Sequence, residues 1–119
     1  MNYIELEIGG EKRGAKLGLG FLEKVQTKLN MNLQEISDKA QKEAFTFIPT
    51  ILYHSLAFNC ERAKKEQDFD LYDVLDWCTD MGAFKEGSEL LKFWNAFNES
   101  ITKQVPDQVE KTEEKAKKK

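Results

Sequence analysis

The side chains that could do chemistry in this chain of 119 residues include one histidine and two cysteines. His54, Cys60 and Cys78 could ligate zinc, or serve as a base and a nucleophile. Zinc sites use closely spaced ligand pairs, and these cysteines lack a Cys-x-x-Cys spacing. No nucleophile lies at an obvious partner spacing from the histidine. The sequence therefore predicts a core or interface histidine, two reduced cysteines, no bound metal and no cofactor.

A run of aspartates is the second feature that could bind an ion. A calcium-binding EF-hand loop alternates oxygen ligands, then places a glycine and later a glutamate. Here Tyr72 and Val74 occupy positions where a ligand and the glycine should stand. The run comprises Asp68, Asp70, Asp73, Asp76 and Asp80. We interpret Asp70 as the cap of one helix and Asp73, Asp76 and Asp80 as residues on its solvent-facing side.

The sequence also gives little support for binding of a nucleotide, a nucleic acid or a membrane. Gly18 and Gly20 resemble the start of a dinucleotide fingerprint, but Glu23 occupies the place of its third small residue. The net charge of −3 gives little phosphate-neutralising surface, so we expect no nucleic-acid partner. No apolar run approaches the roughly 20 residues of a membrane span, and no signal peptide is apparent.

The residue types and spacings considered so far assemble neither a nucleophile with its base nor a metal site. We therefore predict that the protein is not an enzyme.

The elements that would position these side chains begin with a hairpin. Ile4, Leu6 and Ile8 alternate with acidic residues, which is the pattern of a strand with one wet face. Gly9 and Gly10 suit a tight turn, because glycine adopts positive φ without steric cost. The following residues return as a second strand.

Five helices are predicted after the hairpin, from their apolar periodicity and their end signals. The first begins at about Leu19, and the second is capped by Asn32 with Glu35 completing a capping box. The third, from about residue 43 to 65, is apolar on nearly every face and should be the central helix. Its Pro49 requires either a start near Thr46 or a kink. The last two are delimited by Asp70, Gly82, Ser88 and Pro106.

Together these elements predict an α+β protein that is mostly α. A β-hairpin over residues 1–17 precedes about five helices over residues 19–105, packed around the central apolar helix. Residues 1–106 would form one globular domain. Residues 107–119 are rich in Glu and Lys and carry hardly any apolar side chain, so we expect a disordered charged tail.

The hairpin and first helix carry a recognisable pattern. Residues 6–13 read LEIGGEKR and residues 16–23 read KLGLGFLE. This pattern of strand, Gly-Gly, basic residues, Leu-Gly and aromatic-Leu-Glu resembles the tail assembly chaperones of long-tailed, siphovirus-like bacteriophages and prophages. The order of the later helices and the charged tail is similar in general layout.

The resemblance implies a non-catalytic role in the cytoplasm of a bacterial host. Such chaperones bind the aggregation-prone tape measure protein and help recruit tail tube subunits, the latter through a longer form made by ribosomal frameshifting. They are not expected in the mature virion. Self-association remains open.

Exposed aromatic side chains would be the means of binding such a client. The chain carries eight Phe and two Trp, more than a compact five-helix body easily hides. We predict that some of six aromatic residues line an accessible partner-binding groove. These are Phe45, Phe47, Tyr53, Phe58, Trp77 and Phe84.

Two other functions stay open from the sequence. The first is a small structural phage protein, such as a tail-completion or connector subunit, that is retained in the virion. The second is a nucleic-acid-binding regulator, which would require salt-dependent DNA binding.

Overall fold

The computed structural model describes residues 2–104, so the predicted end of the last helix at Pro106 and the predicted tail over 107–119 lie outside the described residues. An N-terminal antiparallel hairpin is followed by five helices, which confirms the predicted α+β, mostly α class. The elements are β1 (Tyr3–Ile8), β2 (Glu11–Lys16), α1 (Leu19–Leu29), α2 (Leu33–Lys42), α3 (Ala44–Ala63), α4 (Leu71–Asp80) and α5 (Glu89–Gln104).

The hairpin has the register that its glycines dictate. Ile8 pairs with Glu11 across a two-residue turn, in which Gly9 and Gly10 have φ of 65° and 82°. Two consecutive positive φ angles suit the right-handed twist of the flanking strands, and glycine adopts them without strain. The turn fixes which face of β1 points inward, so Leu6 and Ile8 enter the core as predicted.

The outer edge of β1 is bonded to side chains of α5. Because Ile8 and Glu11 flank the turn as a hydrogen-bonded pair, the main-chain groups of Glu5 and Glu7 point away from β2. The Glu7 N–H donates to Oε2 of Glu89 at 2.8 Å, and Nζ of Lys92 donates to the Glu5 carbonyl at 3.3 Å. The first turn of α5 therefore lies along this strand edge.

The predicted caps of α2 and α4 are confirmed as reciprocal capping boxes. The Asn32 side chain accepts from the Glu35 N–H at 2.8 Å, while the Glu35 carboxylate accepts from the Asn32 N–H at 2.9 Å. Asp70 and Asp73 make the same pair of bonds in α4, both at 2.9 Å. Each box satisfies two backbone donors that a helix start otherwise leaves unpaired.

The connection between α4 and α5 is also closed by the predicted residues. Gly82 follows the last turn of α4 with a φ of 83°, the left-handed conformation that ends many helices. The Ser88 hydroxyl accepts from the Leu91 N–H at 3.1 Å and donates to the Ala83 carbonyl at 2.6 Å. One hydroxyl thus caps α5 and ties it to the preceding turn.

The central helix, α3, begins at Ala44, two residues before the start near Thr46 that was one of the predicted alternatives. Pro49 lies inside the helix and is buried. Because proline carries no N–H, the Phe45 carbonyl loses its usual donor four residues later. This loss falls close to the helix start, where the proline ring meets only one preceding turn.

The core forms around α3, which packs against β2 and against each of the other four helices. Its buried residues include Ile51, Leu52 and Leu56, all at most 1% exposed. Buried Ser55 donates from its hydroxyl to the Lys16 carbonyl at 2.7 Å, which attaches β2 to this helix. Within residues 2–104, no helix combines the length and the apolar character that crossing a bilayer would need.

Arg13 of β2 joins the hairpin to the loop between α3 and α4 and to α4 itself. The sequence did not reveal this contact. The Arg13 side chain is only 11% exposed. Its Nε donates to the Ile8 carbonyl at 3.0 Å and its Nη1 to the Asp68 carboxylate at 2.8 Å. The guanidinium carbon lies 4.5 Å from a Trp77 ring centre and 5.4 Å from that of Phe69, within cation–π range.

Two hairpin glycines lie in close contact with other side chains. A Cβ built on Gly9 would lie 2.5 Å from Cε2 of Trp77. One built on Gly14 would lie 2.5 Å from the Tyr3 hydroxyl oxygen and 2.7 Å from Nδ2 of Asn59. At Gly9 the packed indole ring would have to move and φ is also positive, so this position requires glycine. At Gly14 the atoms approached are the ends of two side chains, which would have to shift to admit a larger residue.

Replacement of Gly9 should therefore cost far more than replacement of its neighbour. We expect Gly9→Ala to lower the free energy of unfolding by about 3 kcal/mol, from a strained φ plus a clash with Trp77. Gly10→Ala is the matched control, because its φ is also positive but its Cβ would meet nothing within 4 Å; about 1 kcal/mol is expected. Urea unfolding measures both, and equal losses would contradict the packing argument.

Arg13→Lys should lower the free energy of unfolding by about 2 kcal/mol, because lysine lacks the planar fork that bonds and stacks at once. Asp68→Asn is the control: the Arg13 guanidinium holds the pKa of that carboxyl below its ordinary value, yet the side chain is 62% exposed, so little loss is expected at neutral pH. A larger loss for Asp68→Asn than for Arg13→Lys would show that the ion pair dominates.

Candidate partner-binding groove

The six aromatic residues that the sequence singled out lie in separate places. Phe45 is 73% exposed at the start of α3, and its ring centre lies 5.6 Å from that of half-buried Phe84. Phe47, two residues along the same helix, is only 4% exposed and belongs to the core. Phe45 and Phe84 are thus an accessible pair, whereas Phe47 lines no accessible surface.

The other three aromatics support the core from two different sides. Tyr53 and Trp77 are half-buried, and their ring centres lie 6.1 and 5.8 Å from that of buried Phe69. Phe58 is half-buried against Phe21 of α1, with ring centres 6.4 Å apart. These three residues therefore do not share one groove with Phe45 and Phe84.

Two adjoining cavities form a continuous groove between α2 and α5, which we call the α2–α5 groove. Their volumes are about 490 and 270 Å³, and both are lined by Ser37, Trp94 and Asn98. Ala44 and Ile48 of α3 contribute to the first cavity. Further side chains along the groove are Leu33, Gln34, Ile36, Ala40, Gln41, Phe84, Phe97 and Ile101.

The lining of the α2–α5 groove is uncharged, although a third of the chain is charged. Every lining residue among those the structure describes is apolar, a serine or a side-chain amide. Three other surface cavities differ in this respect. For example, the one between the hairpin turn and α4 is lined by Glu7, Glu11, Lys12 and Asp80. Depletion of charge with enrichment of aromatics is typical of the centre of a protein interface.

Trp94 is the largest side chain of the groove and is held from beneath by an aromatic stack. Its ring centre lies 5.0 Å from that of Phe97, with the planes inclined by 21°. Phe97 in turn contacts Phe93 and Phe21, with ring centres about 6 Å away. Because this stack reaches the core, the half-buried Trp94 ring is supported on one side by packed aromatic rings.

Sequence reasoning missed this groove because Trp94 was not among the aromatic residues that it singled out. Its spacing on α5 fits an inward face, and only the placement of the short helix α2 leaves one side of the ring open. The sequence did carry a weak indication of an open surface here: the apolar face of α5 is wide, and Trp94 and Ile101 lie along one margin of it. Leu33, which is 37% exposed at the start of α2, gave no signal at all.

The surroundings of the two cysteines disfavour their thiolate forms. Burial raises the pKa of the Cys78 thiol to about 12 and also raises that of half-buried Cys60. Both thiols are free. Within residues 2–104 there is no cluster of His, Cys, Asp and Glu side chains that could hold a metal ion.

Four members of the aspartate run have the structural roles predicted for them. Asp70 and Asp73 close the capping box of α4, and Asp76 and Asp80 are exposed on the same helix. Asp68 pairs with Arg13.

Comparisons with known proteins give no relative for this chain. No protein-family model, no curated protein and no solved structure matches it.

Acidification should destabilise the protein partly through His54. Burial and the nearby Lys28 lower its pKa below 6.5, so the neutral imidazole is favoured in the folded state. The unfolded chain takes up the proton first, and stability is lost as pH falls below about 6.5. We expect a His54→Gln variant to lose less stability than the natural chain between pH 7.5 and 5.5, measured by urea unfolding. A greater loss of stability in the variant than in the natural chain would contradict the predicted contribution of His54.

Proposed function

We propose that this protein is a non-catalytic chaperone that binds its client through an apolar contact surface. More particularly, we propose a tail assembly chaperone of a long-tailed bacteriophage or prophage. It would bind the tape measure protein in the bacterial cytoplasm, help recruit tail tube subunits through a longer frameshifted form, and leave before the virion is complete.

The α2–α5 groove is the observation that carries this proposal. The uncharged α2–α5 groove, with Trp94 in its lining, suits the apolar face of an amphipathic helix. The accessible Phe45–Phe84 pair extends the apolar surface at one end, since Phe84 also lines the groove. A long client that is aggregation-prone because of exposed apolar helices would be shielded by such contacts.

The hairpin supports the same proposal independently. The residues that resemble the phage chaperones, 6–13 and 16–23, include the Gly-Gly turn packed on Trp77 and the arginine clamped beside it. These residues have demanding structural roles in this fold, since Gly9 is packed on Trp77 and Arg13 lies within cation–π range of it. The motif-like part of the resemblance therefore coincides with a constrained part of the fold.

Co-expression with the tape measure protein encoded in the same genome tests the proposal. We expect the tape measure protein to move from the insoluble to the soluble fraction and to co-elute with this chain on size exclusion. The control is an unrelated helical protein of similar size and net charge. Tape measure protein that is equally insoluble in both cultures would contradict the chaperone function.

Mass spectrometry of purified particles separates the chaperone from a structural subunit. We expect the chain to be absent from finished virions while present in lysates of the same cells. Its presence at a fixed copy number per particle would favour the tail-completion or connector subunit instead.

A further inference from the structure

We infer that the lysines within residues 115–119 of this chain bind the cavity between its own hairpin turn and α4. We call this cavity the turn cavity, and its volume is about 840 Å³. In its lining, Trp77 and Met81 lie beside the acidic side chains of Glu7, Glu11 and Asp80. The occupant is a segment outside the described residues, and its binding does not depend on the function proposed above.

Charge complementarity is the first argument for this occupant. Three of the charged side chains that line the turn cavity are acidic, and one, Lys12, is basic. Glu7 and Asp80 have no basic side chain within 4 Å among residues 2–104, so both carboxylates can take a further partner. Residues 115–119 read KAKKK, the most basic five-residue stretch of the chain. The cavity and the segment are therefore opposite in sign.

The mixed character of the lining is the second argument, because it suits lysine in particular. Trp77 and Met81 are both half-buried and present apolar surface in the cavity. A lysine can lay its hydrocarbon stem along such a surface while its ammonium stays in contact with water. The exposed carboxylates lie where that ammonium would emerge. The segment needs no fold of its own, since each lysine binds through its stem and its ammonium.

The length of chain that follows α5 allows the contact. The start of α5 lies beside the turn cavity, because the Glu89 carboxylate accepts from the main-chain N–H of cavity-lining Glu7. The 16 residues of α5 place Gln104 roughly 23 Å farther along the helix axis. The chain from Gln104 to Lys115 spans up to roughly 36 Å. The lysines can therefore return to the cavity without any displacement of α5.

The covalent link between segment and cavity makes a weak contact sufficient. Exposed ion pairs each contribute little to binding. A segment of the same chain, however, is present at an effective concentration of about millimolar or more. Because the carboxylates are exposed, dissolved salt screens the attraction. We therefore expect the segment to occupy the cavity at low salt and to leave it at high salt.

Nuclear magnetic resonance of the two indole N–H groups tests the inference. The natural chain is compared with a variant at about 20 and about 300 mM NaCl. The variant carries Lys115→Gln, Lys117→Gln, Lys118→Gln and Lys119→Gln. We expect the Trp77 signal to differ between the two proteins at the lower salt and to coincide at the higher. Trp94 is the internal control, because it lines other cavities and should not differ. Identical Trp77 signals at low salt would overturn the inference.

Neutral isosteres in the cavity test the other side of the contact. Glu7→Gln combined with Asp80→Asn removes two charges with almost no change of shape. On this background we expect the low-salt difference between the lysine and glutamine segments at Trp77 to disappear. Asp76→Asn is the matched control, because Asp76 is exposed on the same helix but does not line the turn cavity, and it should retain the difference. The inference fails if the two backgrounds behave alike.

Zero-length crosslinking identifies the occupant directly. A carbodiimide joins a lysine amine to a carboxylate that it contacts, and mass spectrometry of the monomer and dimer bands locates the links. We expect links from residues 115–119 to Glu7, Glu11 or Asp80 in the monomer band at low salt. Links from these lysines mainly to other acidic residues, or only between two copies of the chain, would contradict this assignment.

Discussion

The Arg13 guanidinium is the interaction on which the arrangement of this molecule depends. It lies within cation–π range of the rings of Trp77 and Phe69 while its Nε bonds a hairpin carbonyl, so one side chain joins the hairpin, the α3–α4 loop and α4. A two-stranded hairpin is only marginally stable by itself. Here the hairpin is held by this cation and by the contact of β2 with α3. The glycines around the turn let the tryptophan come close enough for this contact to form.

Local rules explain how much of this fold the sequence could predict. The alternation along β1, the caps at Asn32 and Asp70, and the glycine after α4 act within a few residues, so they can be read from the chain. The partners of Arg13 cannot, because Asp68 is 55 positions away and only the packed fold brings it near. The start of α3 at Ala44 is likewise not evident from local rules, because proline carries no N–H and so favours a helix start closer to Pro49.

The sequence predicted that the protein has an accessible apolar surface, but it did not predict where that surface lies. An excess of aromatic residues indicated an accessible apolar surface, and Phe45 and Phe84 do contact each other on the outside of the molecule. The groove itself depends on where α2 and α5 rest on α3, which no periodicity encodes. Trp94 shows the difficulty. Its spacing along α5 places it toward the core, yet its ring is only half-buried, because the position of the neighbouring helix α2 decides how much of the ring is covered.

The contacts along the outer edge of β1 have a consequence for how the molecule behaves in a crowded cell. Unoccupied main-chain groups on a strand edge can template further strands from other molecules and so start cross-β stacking. In this protein Glu89 and Lys92 occupy an N–H and a carbonyl on that edge. Growth of a fibril from this edge would first require both side chains to release their bonds. The β1 edge of the hairpin is thereby partly closed to pairing with a strand of another molecule.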